Sequence, residues 1–427
     1  MSPYFEYFDL PGNFRLAINS NKKMKTIATK FSFVSDLRED TVTRLALLPM
    51  ILRRGTRRLP DMQLIHRELE SLYGATLDVS INKIGEFHLM QFRMECVNER
   101  FLPNGSEVLR AALLLLRDVL LDPLEVDGGF NPDFFDQENT NLERLIESLV
   151  DSKSAYAEQR LVECMCPNEP YRLYEYGRVD DLKTITAESL RSFHREWLTD
   201  TPLYGYLTGD VDLNATRDLV AEIFGPEVFP RRGRTALSDL PETRSVGAPR
   251  VVSESMDVNQ AKLCLGYRHG IGHGDSRYEA LLMMNGVLGG FSHSKLFQNV
   301  REKANLCYSV RSSLERTKKF LVITSGIAPE HYEKARDIIT EQVDAVAAGD
   351  LSAEEIEATS RTILNHNEML EDNLKALADT DFYWRLHGTK LNLEQLRENL
   401  LKVTADDIAA LARELQLDTT YLLTNKK

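Results

Sequence analysis

The sequence predicts an α+β chain made of two homologous domains, each a mostly antiparallel sheet packed with helices. Three observations carry this. Segments with a two-residue apolar period alternate with segments at helical spacing, and the order strand, helix, strands, helices, strand runs through both halves. One segment is echoed: Asp181-Leu182-Lys183-Thr184-Ile185-Thr186-Ala187-Glu188-Ser189-Leu190 leads to a Tyr-rich strand and Thr208-Gly209, and Asn399-Leu400-Leu401-Lys402-Val403-Thr404-Ala405-Asp406-Asp407-Ile408 leads to Thr420–Asn425. The length, 427 residues, exceeds what one core usually holds. The pattern breaks after Gly225, where Pro226 to Pro249 carries Arg231-Arg232-Gly233-Arg234 and several Ser and Pro residues. The expected division is a first domain over 1–225, a linker over 226–249 and a second domain over 250–427.

In the first half, Phe14–Ile18 and Thr26–Val34 read as strands around the turn residues Asn19-Ser20-Asn21. A helix follows, with Asp40, Thr41 and Thr43 as candidate caps and Leu45, Leu48, Ile51 and Leu52 as its apolar face. Pro49 lies inside it, where a proline costs roughly 3 kcal/mol and is expected to kink or shift the helix. A second helix spans Met62–Tyr73 and stops at Gly74. Strands are expected over 75–82 and 87–97, a helix over 107–121, a long amphipathic helix over 132–152, further helices to Trp197 and a last strand over 203–207.

The composition, 43% hydrophobic and 27% charged, is that of a globular chain. The longest apolar run, Ala111 to Leu116, falls far short of the ~20 residues that cross a bilayer. Met1 to Lys25 has no apolar signal core, so a cytoplasmic location and no membrane partner are expected. A net charge of -13 argues against nucleic acid as a partner and is compatible with cationic peptides. Cys96, Cys164, Cys166, Cys264 and Cys307 are scattered and odd in number, which suits reduced thiols. Cys164-Met165-Cys166 lacks the second pair that a tetrahedral zinc site needs.

The stretch that carries chemistry runs from Gly289 to Val310. Gly289-Gly290 reads as a turn, Ser292 as a helix cap, and Leu296, Phe297 and Val300 as one apolar helical face. Beyond Asn305 the period becomes two, with Leu306, Tyr308 and Val310 on one side of a half-buried strand. Arg301 and Tyr308 hold hydrogen-bonding capacity beyond what packing requires.

This stretch resembles the second-half signature of the pitrilysin/insulinase-type metallopeptidases, the group that includes the mitochondrial processing peptidases. That signature reads G-G, then S-R-L-F, then R-E-x-x-G-L-x-Y-S-V. Here Lys295 replaces its Arg and Asn305 its Gly. The resemblance implies two similar domains arranged as a clam-shell, with an H-x-x-E-H zinc motif on a helix of the first. It also implies that an Arg and a Tyr hydrogen-bond the substrate backbone; by position these are Arg301 and Tyr308, with Gly289 and Gly290 as further substrate-binding positions.

The zinc motif is missing. Counting back from Gly55-Thr56 places it on Ala46-Leu47-Leu48-Pro49-Met50. Ala46 and Met50 stand where the His ligands belong and Pro49 where the catalytic Glu belongs, and none can do that work. The third-ligand helix matches Glu138 to Asp151, with the expected Glu near Arg144 or Leu145 and Glu143 and Glu147 close by. No other H-x-x-E-H, H-E-x-x-H or Ser nucleophile elbow occurs. His66 with Glu70 at i and i+4, and His269 with His273 in a glycine-rich loop, are the remaining candidates for a metal; the latter pair reads as a surface loop and His88 as a core or edge residue. Glu354, Glu355 and Glu357 read as a helix N-terminus.

The expected function is that of a catalytically inactive bacterial subunit, with no metal and no cofactor. It would pair with a homologous zinc peptidase that keeps H-x-x-E-H and help bind peptide or unfolded polypeptide. Bacterial members of this length that lack the motif resemble the silent partner of a cytosolic peptidase pair linked to modification of a translation elongation factor. Two alternatives stand beside this: an active metallopeptidase using unorthodox ligands such as His66, His269 or His273, and a peptide-binding scaffold with no enzyme partner.

Overall fold

A computed structural model describes residues 4–103, 107–232 and 247–425. In chain order the first half holds β1 (Glu6–Leu10), β2 (Phe14–Ser20), β3 (Thr26–Asp36), α1 (Val42–Leu52), α2 (Met62–Ser71), β4 (Thr76–Ile84), β5 (Phe87–Val97) and α3 (Val108–Leu121). It continues through β6 (Glu125–Val126), β7 (Gly129–Phe130), α4 (Pro132–Glu147), α5 (Lys153–Met165), α6 (Val179–Leu182), α7 (Ala187–Asp200), β8 (Leu203–Gly209) and α8 (Leu213–Phe224). The second half holds β9 (Arg250–Ser255), β10 (Ala261–Arg268), α9 (Tyr278–Asn285), β11 (Cys307–Glu315), β12 (Phe320–Ile327) and α10 (Tyr332–Ala348). It ends with α11 (Ala353–Asp372), α12 (Leu374–Leu386), α13 (Leu393–Leu400), α14 (Ala405–Glu414) and β13 (Gln416–Thr424).

The chain folds as two compact units. Residues 4–148 and 173–232 form the described part of one; residues 149–172 and 247–425 form the other. The first sheet has the order β1-β2-β8-β3-β5-β4, the second β11-β12-β10-β13-β9. Without β1, the two orders are the same when β2, β3, β4, β5 and β8 are matched to β9 to β13 in turn. In each sheet one pair is parallel, β2 with β8 and β13 with β9, and the others are antiparallel. The α+β class and the duplication read from the sequence are therefore correct. The echoed segments also share their local device: Thr186 and Thr404 each close a capping box, with Ser189 and Asp407, at the start of the helix before the last strand.

Several expectations need adjustment. The sequence reading missed β1 and α8. The helix expected over 132–152 stops at Glu147, passes through a tight turn over 148–151 and restarts as α5. α1 runs one turn past Pro49 to Leu52, and its cap residue Thr41 makes no side-chain cap bond. Of the stretch expected as a linker, residues 233–246 lie outside the described residues. Residues 226–232 pack on the first unit: Phe229 is buried, and Arg231 donates to the carbonyls of Leu198 (2.9 Å), Gly12 (3.2 Å) and Thr201.

α5, expected within the first domain, packs on the second sheet. Tyr156 and Tyr421 hydroxyls donate to Glu254 at 2.5 and 2.8 Å, and Arg160 Nε at 3.1 Å. Gly266 in β10 permits the approach, since a Cβ there would lie 2.2 Å from Met165 Sδ. Buried Arg268 then ties Asp418 (2.7 Å) and Glu169 (3.2 Å), and Lys318 meets Glu169 at 2.6 Å. Every carboxylate in this network has a cation, which buried charge requires.

Candidate functional site

The residues that the sequence reading sets at the family's zinc-motif position are core residues. Ala46, Leu47 and Leu48 are buried in the first unit's apolar core, and Met50 packs against it half-buried. Helix α4 packs on α1. Its inward stripe is Phe135, Glu138 and Leu142, so one carboxylate lies on an otherwise apolar face. Glu138 is 2% exposed. Arg54, just past α1, places Nη1 3.3 Å from it and donates also to Gln137, while its guanidinium lies 5.1 Å over the Phe134 ring. Asn141 donates to the other Glu138 oxygen at 3.1 Å. The sequence reading placed the expected carboxylate later. Arg144, Leu145 and Glu147 are exposed and Glu143 half-buried, so the buried carboxylate of this helix is Glu138, and an arginine is its counter-charge. A Glu at i+3 and i−4 within an apolar stripe was the signal that could have revealed it.

In the second unit the glycine signature forms a π turn, Gly286–Gly290, at the end of α9. Gly289 is buried there. A Cβ on it would lie 2.7 Å from Ser312 N and Oγ, so this turn packs on β11 backbone to backbone. Gly290 is exposed. The helix that follows starts at Lys295, so the cap is Ser294, whose Oγ accepts the Phe297 N–H at 3.5 Å; Ser292, expected as the cap, sits in the preceding turn. Lys295, in place of the family's Arg, is buried and pairs with Glu355 at 3.1 Å. Glu355 belongs to the capping box that opens α11, as the acidic run implied.

Arg301 lies in a second π-helical stretch, Phe297–Lys303. Such bulges rotate one residue out of α register. The guanidinium is 4.5 Å from the Phe297 ring and 5.5 Å from the Tyr308 ring. Ring faces hold the flat cation in position and leave its N–H edges for hydrogen bonds. Among the described residues, its one ion-pair contact is a peripheral one to Glu302, at 3.5 Å. Asn305 has φ +53°, the left-handed region that Asn tolerates among non-glycine residues, so its replacement of the family's Gly keeps the backbone path. The alternation expected for the strand fails at its start. A bulge between Cys307 and Ser309 in the pairing with β12 turns Tyr308 outward, 81% exposed, while Leu306, Cys307 and Val310 are buried. Arg301 and Tyr308 thus meet at the entry to the edge strand β11, and Phe297 beneath Arg301 is the residue of this group whose role the sequence reading missed.

The other candidates do not converge. His66 and Glu70 are exposed on α2. His269 is buried, with Nδ1 accepting from the Ile271 N–H at 3.2 Å, and burial lowers its pKa to about 4. The His273 ring packs among Tyr278, Tyr383, Trp384 and His387. This loop is therefore packed and not the surface loop expected. His88 is buried in β5, in keeping with the core reading. Among the described residues no group of three or more His, Cys, Asp and Glu side chains is arranged to hold a metal ion, and no helix is long and apolar enough to cross a membrane.

Comparison with known proteins agrees with this geometry. A "probable inactive metalloprotease" of Bacillus subtilis, YmfF, is 35% identical over 414 residues, covering 96% of each chain. The chain belongs to the M16 peptidase family. The family model described as the peptidase M16 inactive domain matches residues 184–363, which include the Arg301 and Tyr308 stretch. An "uncharacterized zinc protease" of Streptomyces coelicolor is 27% identical, covering 56% of this chain and 53% of that one. A conserved protein from Enterococcus faecalis has the same fold at TM-score 0.91, with 27% identity over 99% of both chains. The structure described as the M16 inactive domain from Pseudomonas fluorescens superposes at TM-score 0.82 with 16% identity, over 99% of this chain and 98% of that one. The pitrilysin/insulinase-type resemblance is thereby confirmed, and the chain is an M16 homologue of the inactive kind.

Proposed function

We propose that this protein is a non-catalytic M16 subunit that pairs with a homologous zinc peptidase bearing an intact H-x-x-E-H and contributes a peptide-binding site of its own. The observation that carries this reading is the Arg301–Tyr308 pair. A guanidinium stacked between two rings and an 81% exposed phenol project from the start of an edge strand, where neither is needed for packing. Both are hydrogen-bond donors of the kind that hold a peptide carbonyl or a developing oxyanion. Gly289 and Gly290 belong to the site through the backbone: Gly289 lets the turn approach β11, and Gly290 packs back on Asn285 at the end of α9. The first unit offers no metal ligands at Ala46, Pro49 and Met50, so zinc would come from the partner chain. A reducing cytoplasm suits the five cysteines, all free.

The experiment is co-expression with a homologue of similar length that retains H-x-x-E-H. The two chains are expected to co-purify, with peptidase activity only in the complex. Arg301→Ala or Tyr308→Phe should lower kcat/KM by about tenfold or more, the scale for losing one oxyanion-type donor, without dissociating the chains. A complex of unchanged activity with both variants would remove the role assigned to these residues, and failure to associate would remove the pairing.

A further inference from the structure

The outer side of α3 in the first unit takes no part in the reading above. Two cavities of about 500 and 520 Å³ open there, and Arg117 and Asp122 line both, so they adjoin and are taken together as one groove. Its floor is apolar and mostly aliphatic, from Leu114 and Leu121 of α3 on to Leu198 of α7, with Val228, Phe229 and Pro230 beyond. Its walls carry Arg57 and Arg58 from the loop after α1, Arg117 from α3, and Arg191 and Arg195 from α7.

The carboxylates facing these five guanidiniums are shared. Asp118 takes both Arg58 (2.8 Å) and Arg117 (2.9 Å), and Arg58 reaches Glu68 as well (2.9 Å). Glu125 takes both Arg191 (2.5 Å) and Arg195 (2.8 Å). Asp122 is the remaining acid of the groove. Arg57, exposed, gives its backbone N–H to the Asp122 carbonyl at 2.8 Å, and its guanidinium pairs with no carboxylate among the described residues. Positive charge therefore outnumbers negative here, on a chain whose net charge is -13. Each arginine brings five N–H donors, more than the shared carboxylates can accept.

A groove with a mostly aliphatic floor and guanidinium rims matches a ligand that alternates carboxylates with apolar side chains. We propose that it binds an acidic, partly apolar peptide segment of a partner protein, with its carboxylates on Arg57 and Arg195 and its apolar side chains over Leu114 and Leu121. Nucleic acid would bring the right charge but the wrong remainder: the one aromatic residue of the lining, Phe229, is 3% exposed and presents no open face for base stacking, and the overall negative charge of the chain repels a polyanion. The proposal does not depend on the Arg301–Tyr308 site, which lies in the other unit.

The test uses the full chain and a fluorescently labelled dodecapeptide of Glu and Leu, with the same peptide carrying Gln or Lys in place of Glu, and a single-stranded oligonucleotide of equal length. The Glu peptide is expected to bind about tenfold or more tighter than the Gln peptide at low salt, with the advantage shrinking as salt screens the charges. The exposed pair Arg57→Gln and Arg195→Gln together should abolish that preference while thermal unfolding stays unchanged, and Arg301→Ala should leave it intact. Equal affinity for the Glu and Gln peptides, tighter binding of the oligonucleotide, or an unaltered preference in the double variant would each overturn the proposal.

Discussion

Acid should loosen the second unit through His273, and the effect can be isolated by one substitution. The ring centroid of His273 lies 4.7 to 4.9 Å from those of Tyr278, Tyr383, Trp384 and His387. Both of its nitrogens are buried without a hydrogen-bond partner. Burial, then neighbouring His387 and Arg316, push its pKa down to about 3. A histidine depressed in the native state contributes nothing to the pH dependence above its unfolded value of about 6.5; below that, the unfolded chain binds a proton that the native chain refuses, so stability falls until the native pKa is reached. At pH 5, about 1.5 units below the unfolded value, the loss from this one group is ~2 kcal/mol. Glu315 nearby acts in the opposite sense, since burial raises its pKa, but that contribution is common to both proteins compared. His273→Phe keeps the ring and the packing and removes the titration. Urea unfolding at pH 7.5 and pH 5, followed by Trp384 emission in a Trp197→Phe background, reads the second unit alone, because the chain has two tryptophans and they fall one in each unit. The variant should be as stable as the parent or more so at pH 7.5, having lost two unpaired buried nitrogens. It should lose ~2 kcal/mol less than the parent on going to pH 5. Parallel losses in the two proteins would refute the reasoning.

Arg54→Met leaves the 2% exposed Glu138 without its cation and should destabilise the first unit by ~3 kcal/mol in chemical denaturation, while adding Glu138→Leu should recover most of that loss. Asn305→Ala forces a Cβ-bearing residue without Asn's tolerance into φ +53° and should cost ~1 kcal/mol, whereas Asn305→Gly should be neutral or better, measured by thermal unfolding. Gly289→Ala puts a methyl 2.7 Å from the Ser312 backbone nitrogen; it should cost ~1–3 kcal/mol and shift the amide exchange of β11 and the fluorescence of a probe placed at Tyr308.

What the sequence revealed was set by local chemistry. The strands over 87–97 and 26–34 announce themselves by alternation and β-branched residues, and the duplicated Thr-capped helix before the last strand is a local motif in both halves. The Arg301–Tyr308 neighbourhood was legible as a pattern, yet its geometry was not. A bulge, two π turns and a left-handed Asn decide which way Tyr308 points, and none of these has a periodicity signal. The transfer of α5 to the second unit was likewise hidden. Its amphipathic face says that it packs, and only the distant partners Glu254, Gly266 and Tyr421 say against what.

The degenerate zinc motif shows how deep such a loss goes. By the sequence reading the change is a deletion: Ala46, Met50 and Pro49 stand where the family has two ligands and a general base. In the fold it is also a replacement. Ala46 completes an apolar core that an imidazole would disrupt, and the buried carboxylate of the helix packed on α1 is paired with a permanent guanidinium. Arg54 keeps its charge at any physiological pH, so it neutralises Glu138 without the proton release that metal binding entails. Restoring histidines at positions 46 and 50 would therefore meet a site whose carboxylate is already engaged. Arg54 and Asn141 thus satisfy the first unit's buried carboxylate with groups of the same chain, and any ligand set rebuilt there would have to displace them first.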